Sequence, residues 1–201
     1  MTDQQPYRDA PPEWGASDRP SFGRRLLRAF GELLQTLLIA GALFLIVNFL
    51  TARIRVEGNS MEPSLHNGEF VVVNRLAYRI HPPERGDIVV FHFPLDNDRR
   101  FIKRVIGEPG DVVQIEDGQV YVNGGLLHEP YISSPPHYQG EWSVGGSQVF
   151  VLGDNRNNSS DSQNWGMLPL DEIIGKAVLV YWPPEDVGLI PHYELAIAAD
   201  G

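Results

Sequence analysis

Three stretches of this chain carry residues whose types and spacing could do bond-breaking chemistry. The first, Val56-Glu57-Gly58-Asn59-Ser60-Met61-Glu62-Pro63-Ser64-Leu65, sets Ser60 in a glycine-led turn. A serine there is either a turn former bonded to its own backbone or a nucleophile held out for attack. A hydroxyl attacks a carbonyl carbon only when a base removes its proton, so the second reading demands a partner. Lys103, in Phe101-Ile102-Lys103-Arg104-Val105-Ile106, is the candidate base. Strand alternation would place it with Phe101 and Val105, opposite Arg104; on a buried face, desolvation would disfavour its ammonium form and lower its pKa toward neutrality. On a sheet edge it would instead snorkel to water. The third stretch, Gly153-Asp154-Asn155-Arg156-Asn157-Asn158-Ser159-Ser160-Asp161-Ser162, is dense in short polar side chains. Such a run stitches a loop through its own hydrogen bonds and can also present a hydroxyl that orients a base. His66, His81, His92, His128, His137 and His192 leave a Ser-His arrangement open, though each stands alone in the sequence.

Composition narrows the classes. The 201 residues are 42% hydrophobic and 21% charged, enough for one ordinary domain with an appendage. The net charge of -10 argues against a nucleic-acid partner, because phosphate binding rests on Lys and Arg. Residues 1 to 31 hold five Arg against four acids, so the acidity belongs to the remainder, with 11 basic and 22 acidic side chains. The absence of cysteine removes disulfides, thiolate metal ligands and a Cys nucleophile together.

The elements that must position these stretches follow from periodicity. Residues 1 to 31 begin with scattered Pro and acids that suit a flexible tail and end with Arg24, Arg25 and Arg28. The run from Leu33 to Leu50 is almost wholly apolar, and a helix from Leu33 to Ala52 would be roughly 30 Å long, the thickness of a bilayer core. It is longer than a signal-peptide core and no small-x-small site follows it before Arg53, which favours an uncleaved anchor over 32 to 52. Arg19, Arg24, Arg25 and Arg28 ahead of the span, against Arg53 and Arg55 after it, bias the amino end to the cytoplasm. Beyond Arg53 the period becomes two. Strands are predicted at Ile54 to Val56, Phe70 to Val73, Asp87 to Phe91, Phe101 to Ile106, Val112 to Ile115, Val120 to Val122, Gln148 to Leu152 and Ala177 to Trp182. Asp117-Gly118 and Asn123-Gly124 are hairpin turn pairs. The expected fold is mainly β, an antiparallel folded-over or barrel-like domain over 53 to 184 preceded by one transmembrane helix. Residues 131 to 146 suit a loop or hairpin insertion, and 185 to 201 a C-terminal tail.

The ordered blocks Ser60-Met61-x-Pro63, Gly86-Asp87-Ile88-Val89, Lys103-Arg104-Val105-Ile106-Gly107, Pro109-Gly110-Asp111, Gly153-Asp154-Asn155-Arg156, Asp161-Ser162 and Trp165-Gly166 resemble the type I signal peptidase (leader peptidase) family, from about Leu33 to Trp182. The resemblance implies a membrane-anchored serine endopeptidase with a Ser/Lys dyad and an extracytoplasmic β domain. It implies no metal or cofactor, and signal peptides of exported preproteins as substrates. It assigns Ser60 as nucleophile and Lys103 as general base, with Ser159 orienting the lysine, Asp161 and Arg104 pairing beside the site, and the Ser60 N–H as an oxyanion donor. It also implies shallow pockets shaped by Ile54, Val56, Met61, Leu65 and Ile102, which select small side chains. Gly58, Asn157 and Gln163 depart from common family residues at their positions.

The spacing bears on the substrate as well. About eight residues separate the apolar span from Ser60, so Ser60 lies within roughly 30 Å of the bilayer surface, within reach of a target itself held in lipid. A noncatalytic anchored β module that binds exported proteins fits the anchor and the strands equally, but gives no reason for Ser60, Lys103 and Ser159 to occur together. A self-cleaving repressor with Ser/Lys chemistry would need a basic DNA-binding region where this chain has an apolar span.

Overall fold

The computed structural model of the chain describes residues 22–79, 81–193 and 195. The apolar run folds as helix α1 (Phe22–Leu50), about 44 Å long at 1.5 Å per residue. It starts before the expected Leu33 because Arg25 and Arg28 are good helix formers with no proline after Pro20, so helix continues past the apolar segment. Its apolar side chains are exposed, and Arg25–Leu50 is long and apolar enough to cross a membrane. Residues 1–21 of the expected tail lie outside the described residues, and Phe22–Gly31 are helical.

The helix stops at Leu50 rather than Ala52, because a strand takes over. β1 (Thr51–Arg55) follows without a linker and pairs with β2 (Phe70–Asn74). The Thr51 hydroxyl donates to the Val47 carbonyl at 2.8 Å, and the Arg75 N–H donates to the Leu50 carbonyl at 3.0 Å. Carbonyls that a helix end leaves orphaned are thereby satisfied.

The remaining chain builds two antiparallel sheets. The larger contains β1, β2, β3 (Ile88–Phe93), β4 (Asp96–Gly107), β9 (Gln148–Leu152), β10 (Leu168–Pro169), β11 (Ile173–Trp182) and β12 (Gly188–Leu189). Its order is β1-β2-β11-β3-β4-β9-β10, with β12 on β11. The smaller has the order β7-β6-β5-β8, from β5 (Val112–Glu116), β6 (Gln119–Val122), β7 (Gly125–Leu126) and β8 (Gly140–Ser143). Both turn pairs behave as their residues require: Asp117 and Gly118, then Asn123 and Gly124, all take positive φ between paired strands. Where β4 ends against the smaller sheet, Gly107 is the residue that fits, since a Cβ there would lie 2.6 Å from Val113 Cγ2.

Packing explains which strands alternate and which do not. In β5 and β6 alternate residues are buried, and Val113, Ile115, Val120 and Val122 close a core over Ile106, Phe150 and Leu152. Ile88–Phe91 of β3 and Val149–Leu152 of β9 are covered on both faces and read as unbroken apolar runs. The segment 131–146, expected as a loop or hairpin insertion, contributes β8 to the smaller sheet and Tyr131 and Val144 to its core. The expected C-terminal tail is likewise docked as far as it is described, with Ile190 and Leu195 buried in two different cores.

Candidate active site

Ser60 sits on the turn between β1 and β2. Gly58 takes φ +83° and donates its N–H to Asn67 Oδ1 at 3.0 Å, and Leu65 N–H closes a turn on the Met61 carbonyl at 2.9 Å. Beneath the turn Val56, Met61 and Leu65 are buried in one core with Val71 and Val73. The turn is thereby riveted by apolar side chains while Ser60 itself stays half-exposed. Its N–H donates to no acceptor among the described residues.

Lys103 comes from the middle of β4, where the strand passes from exposed to fully buried residues. Its side chain is 4% exposed, and Nζ lies 2.7 Å from Ser60 Oγ and 3.0 Å from the Ile102 carbonyl oxygen. Burial pushes the amine's pKa down from 10.5 to about 8, against the pull of the Asp161 and Asp154 carboxylates, which favour the ammonium. Two side chains 43 positions apart are thus joined as hydroxyl and dry amine.

The loop after β9 clamps this pair from the far side. Asn155 N–H donates to the Ser60 carbonyl at 3.0 Å, and the Asn155 side chain to the Asn59 carbonyl at 3.1 Å. Gly153 makes the approach possible, because a Cβ there would collide with the Ser60 carbonyl and with Ser159. Asp161 caps the short helix α2 (Ser162–Trp165) and accepts from Gly153 N–H at 3.0 Å; burial pushes its carboxyl up.

Two expected contacts are corrected here. Arg104 does not pair with Asp161. Its guanidinium binds Asp154 through Nε–Oδ1 at 2.8 Å and Nη2–Oδ2 at 2.7 Å, with both side chains fully buried, and it stacks on Tyr131 at 4.1 Å. Alternation sends Arg104 away from Lys103, so it meets the start of the polar loop rather than its end. Ser159 makes no hydrogen bond to Lys103, whose second contact is the Ile102 carbonyl. The Ser159 Oγ is buried without a hydrogen-bond partner, near enough to Asp161 to favour its ionised form.

An open cleft of about 650 Å³ leads to the pair, bordered by Ile54 and Arg55 of β1 and by Arg99, Phe101 and Ile102 of β4. Three strands separate β1 from β4 in the sheet, so the sheet curls to bring them to one cleft. Of the five residues expected to shape pockets, Ile54 and Ile102 line this cleft. Val56, Met61 and Leu65 do not, because holding the nucleophile turn consumes them as core. No histidine lines it among the described residues. Asp154, Asn155 and Gly153 are the site residues that sequence reasoning left without individual roles; their signal was the density of the polar block.

The signal peptidase, peptidase S26 family model matches residues 29–182, from within α1 to the end of β11. The chain belongs to that family. The peptidase is similar to a probable signal peptidase I-2 of Synechocystis sp., 42% identical over 167 residues, covering 79% of this chain and 76% of that one. It is 39% identical over 193 residues to a signal peptidase I of Leptolyngbya laminosa, covering 91% and 93%. A probable signal peptidase I-1 of Synechocystis sp. is 44% identical over 171 residues, covering 81% and 87%. The family works with a Ser/Lys dyad, and this member is a serine endopeptidase that removes signal peptides.

Proposed function

We propose that Ser60 is the nucleophile and Lys103 the general base of this signal peptidase, on an extracytoplasmic domain tethered by α1 as a single membrane span. The observation that carries the assignment is the 2.7 Å contact between Ser60 Oγ and the buried Lys103 amine. Neutral Lys103 takes the hydroxyl proton as Oγ bonds to the scissile carbonyl carbon. The oxyanion is held by the unengaged Ser60 N–H. As the peptide C–N bond breaks, the ammonium gives the proton to the leaving amine; water, deprotonated by the same lysine, then attacks the ester carbonyl, and the ester C–Oγ bond breaks as the ammonium returns that proton to Ser60 Oγ. The ammonium formed in between has three hydrogens. Ser60 Oγ and the Ile102 carbonyl are placed to accept two of them. Asp161 and Arg104 act as positioning residues through the loop after β9.

The substrate reading follows from the same geometry. Residues 100–103 of β4 pair with β3 on one side only, pairing with β9 beginning at Arg104, and β1 pairs only with β2. Both free edges face the cleft, so a signal peptide extended along it would add backbone hydrogen bonds on either side. An anchor that lies within α1 and ends at Leu50, and a peptidase domain that begins at Thr51, with the amino end cytoplasmic, complete the proposal. In full-length protein in nonionic detergent, Ser60→Ala and Lys103→Ala should each lower preprotein cleavage by at least about 10³-fold with the unfolding midpoint of Ser60→Ala unchanged. Turnover retained in either variant would refute the dyad.

A further inference from the structure

Six exposed arginines of the acidic domain, Arg53, Arg55, Arg75, Arg79, Arg99 and Arg100, have no carboxylate partner among the described residues, and three of them share one cleft. Arg85, Arg104, Arg156 and Lys176 each pair with a carboxylate. Arg53, Arg75 and Arg100 have no carboxylate partner among the described residues, and all three line a second cleft, of about 330 Å³. Strand register brings them there. Thr51 pairs with Asn74, and Arg75 N–H bonds the Leu50 carbonyl, which sets Arg75 beside the end of α1. Arg100 lies directly across β3 and β4 from His92, which also lines the cleft. Asn48 and Thr51 add neutral polar groups. Like charges held together repel in the absence of an anion, so a cluster of this kind in a domain of 11 basic and 22 acidic residues points to an anionic ligand.

We propose that this cleft binds the anionic headgroup of a lipid, its phosphate or sulfonate oxygens held by Arg53, Arg75 and Arg100. Guanidinium forks match such oxygens in bidentate geometry. The lipid, rather than a free anion, is indicated by the neighbours of Asn48: Ile46, Val47 and Phe49 are exposed and apolar, so acyl chains have a surface to lie on beside the headgroup site. The inference rests on the reading of α1 as a bilayer span. Because Arg53 and Arg100 also border the catalytic cleft, Arg75 isolates the site.

The test is native mass spectrometry of the full chain released from nonionic micelles containing equal phosphatidylglycerol and phosphatidylcholine, with a parallel titration by inorganic phosphate. Wild type should retain phosphatidylglycerol over phosphatidylcholine. Arg75→Gln should lower that retention about 5-fold, from about 1 kcal/mol for one basic residue at an anionic surface. Arg75→Lys should keep most of it, and Arg79→Gln, an exposed arginine outside the cleft, should change nothing. Equal retention of the two lipids by wild type, or equal loss in Arg75→Gln and Arg79→Gln, overturns the proposal. Inorganic phosphate bound as tightly as phosphatidylglycerol overturns it in favour of a free-anion site. A chain that stays monodisperse without detergent would instead refute the span, a separate failure.

Discussion

Replacing Lys103 by Met should abolish turnover and yet stabilise the protein at neutral pH. The folded amine titrates near 8 against 10.5 for a free lysine, so holding it as a dry ammonium costs about 3 kcal/mol at 1.36 kcal/mol per pH unit. The sign follows from proton counts. Between about pH 8 and 10.5 the unfolded lysine keeps its proton while the folded one has lost it, so wild-type stability rises with pH across that window by up to about 1.4 kcal/mol per unit. Methionine carries no proton and nearly conserves the chain's length. The advantage of Lys103→Met should therefore be largest below pH 8 and shrink to little by pH 10. The figure of about 3 kcal/mol is already net of the attraction that the Asp161 and Asp154 carboxylates exert on the ammonium, so it needs no further discount for their loss of a cation. Denaturant midpoints of full-length wild type and variant in one nonionic detergent, at pH 7, 8, 9 and 10, read the effect directly. A difference that stays flat over that range, or a variant less stable than wild type at pH 7, refutes the claim that the amine is dry. The same titration governs rate: the neutral fraction rises from about one tenth at pH 7 to about nine tenths at pH 9, so kcat/KM should climb about 10-fold between them.

Asp161→Asn removes the larger of the two carboxylate influences that favour the ammonium, so the rising limb of the kcat/KM profile should move to lower pH, while an asparagine still caps α2. An unmoved limb would mean that this carboxylate does not act on Lys103. Gly153→Ala drives a methyl into the Ser60 carbonyl and Ser159; kcat should fall by more than about 10²-fold, with lipid retention at the Arg75 cleft unchanged. Asp154→Ala strands a fully buried guanidinium and should cost about 3 to 5 kcal/mol of stability in denaturant titration. Loss below 1 kcal/mol would mean that Tyr131 stacking and the Gly86 carbonyl suffice for Arg104.

What could be read from the sequence was set by how local its cause is. Hairpins at Asp117-Gly118 and Asn123-Gly124, and strands covered on one face, announce themselves through turn chemistry and a period of two, and these stand where they were expected. Strands β7, β8, β10 and β12 carry two to four residues each and are strands only because a neighbour pairs with them, which no local pattern records. The Ser60 and Lys103 stretches were legible as chemistry because a serine after Gly-Asn and a lysine among bulky apolar residues are each unusual. The direction of Arg104 was legible too, from alternation alone, but its partner was not. Asp154 and Asp161 lie in the same polar block, and only the path of the loop decides which carboxylate the guanidinium reaches.

The loop path also explains why a costly lysine is tolerated. Burying its amine opposes folding, and the chain offsets this with interactions that converge on the same few residues. The Arg104–Asp154 pair fixes the first turn of the polar loop, Asn155 ties that loop to the Ser60 carbonyl, and the Val56, Met61 and Leu65 side chains hold the other end of the turn in the core. Residues expected to read the substrate are instead occupied in holding the nucleophile still. Discrimination of the peptide then falls to the few cleft-lining apolar groups, Ile54, Phe101 and Ile102, set in a rim of arginines. If the peptide adds to the two free strand edges as proposed, recognition through so few side chains leaves that backbone pairing as the main source of binding.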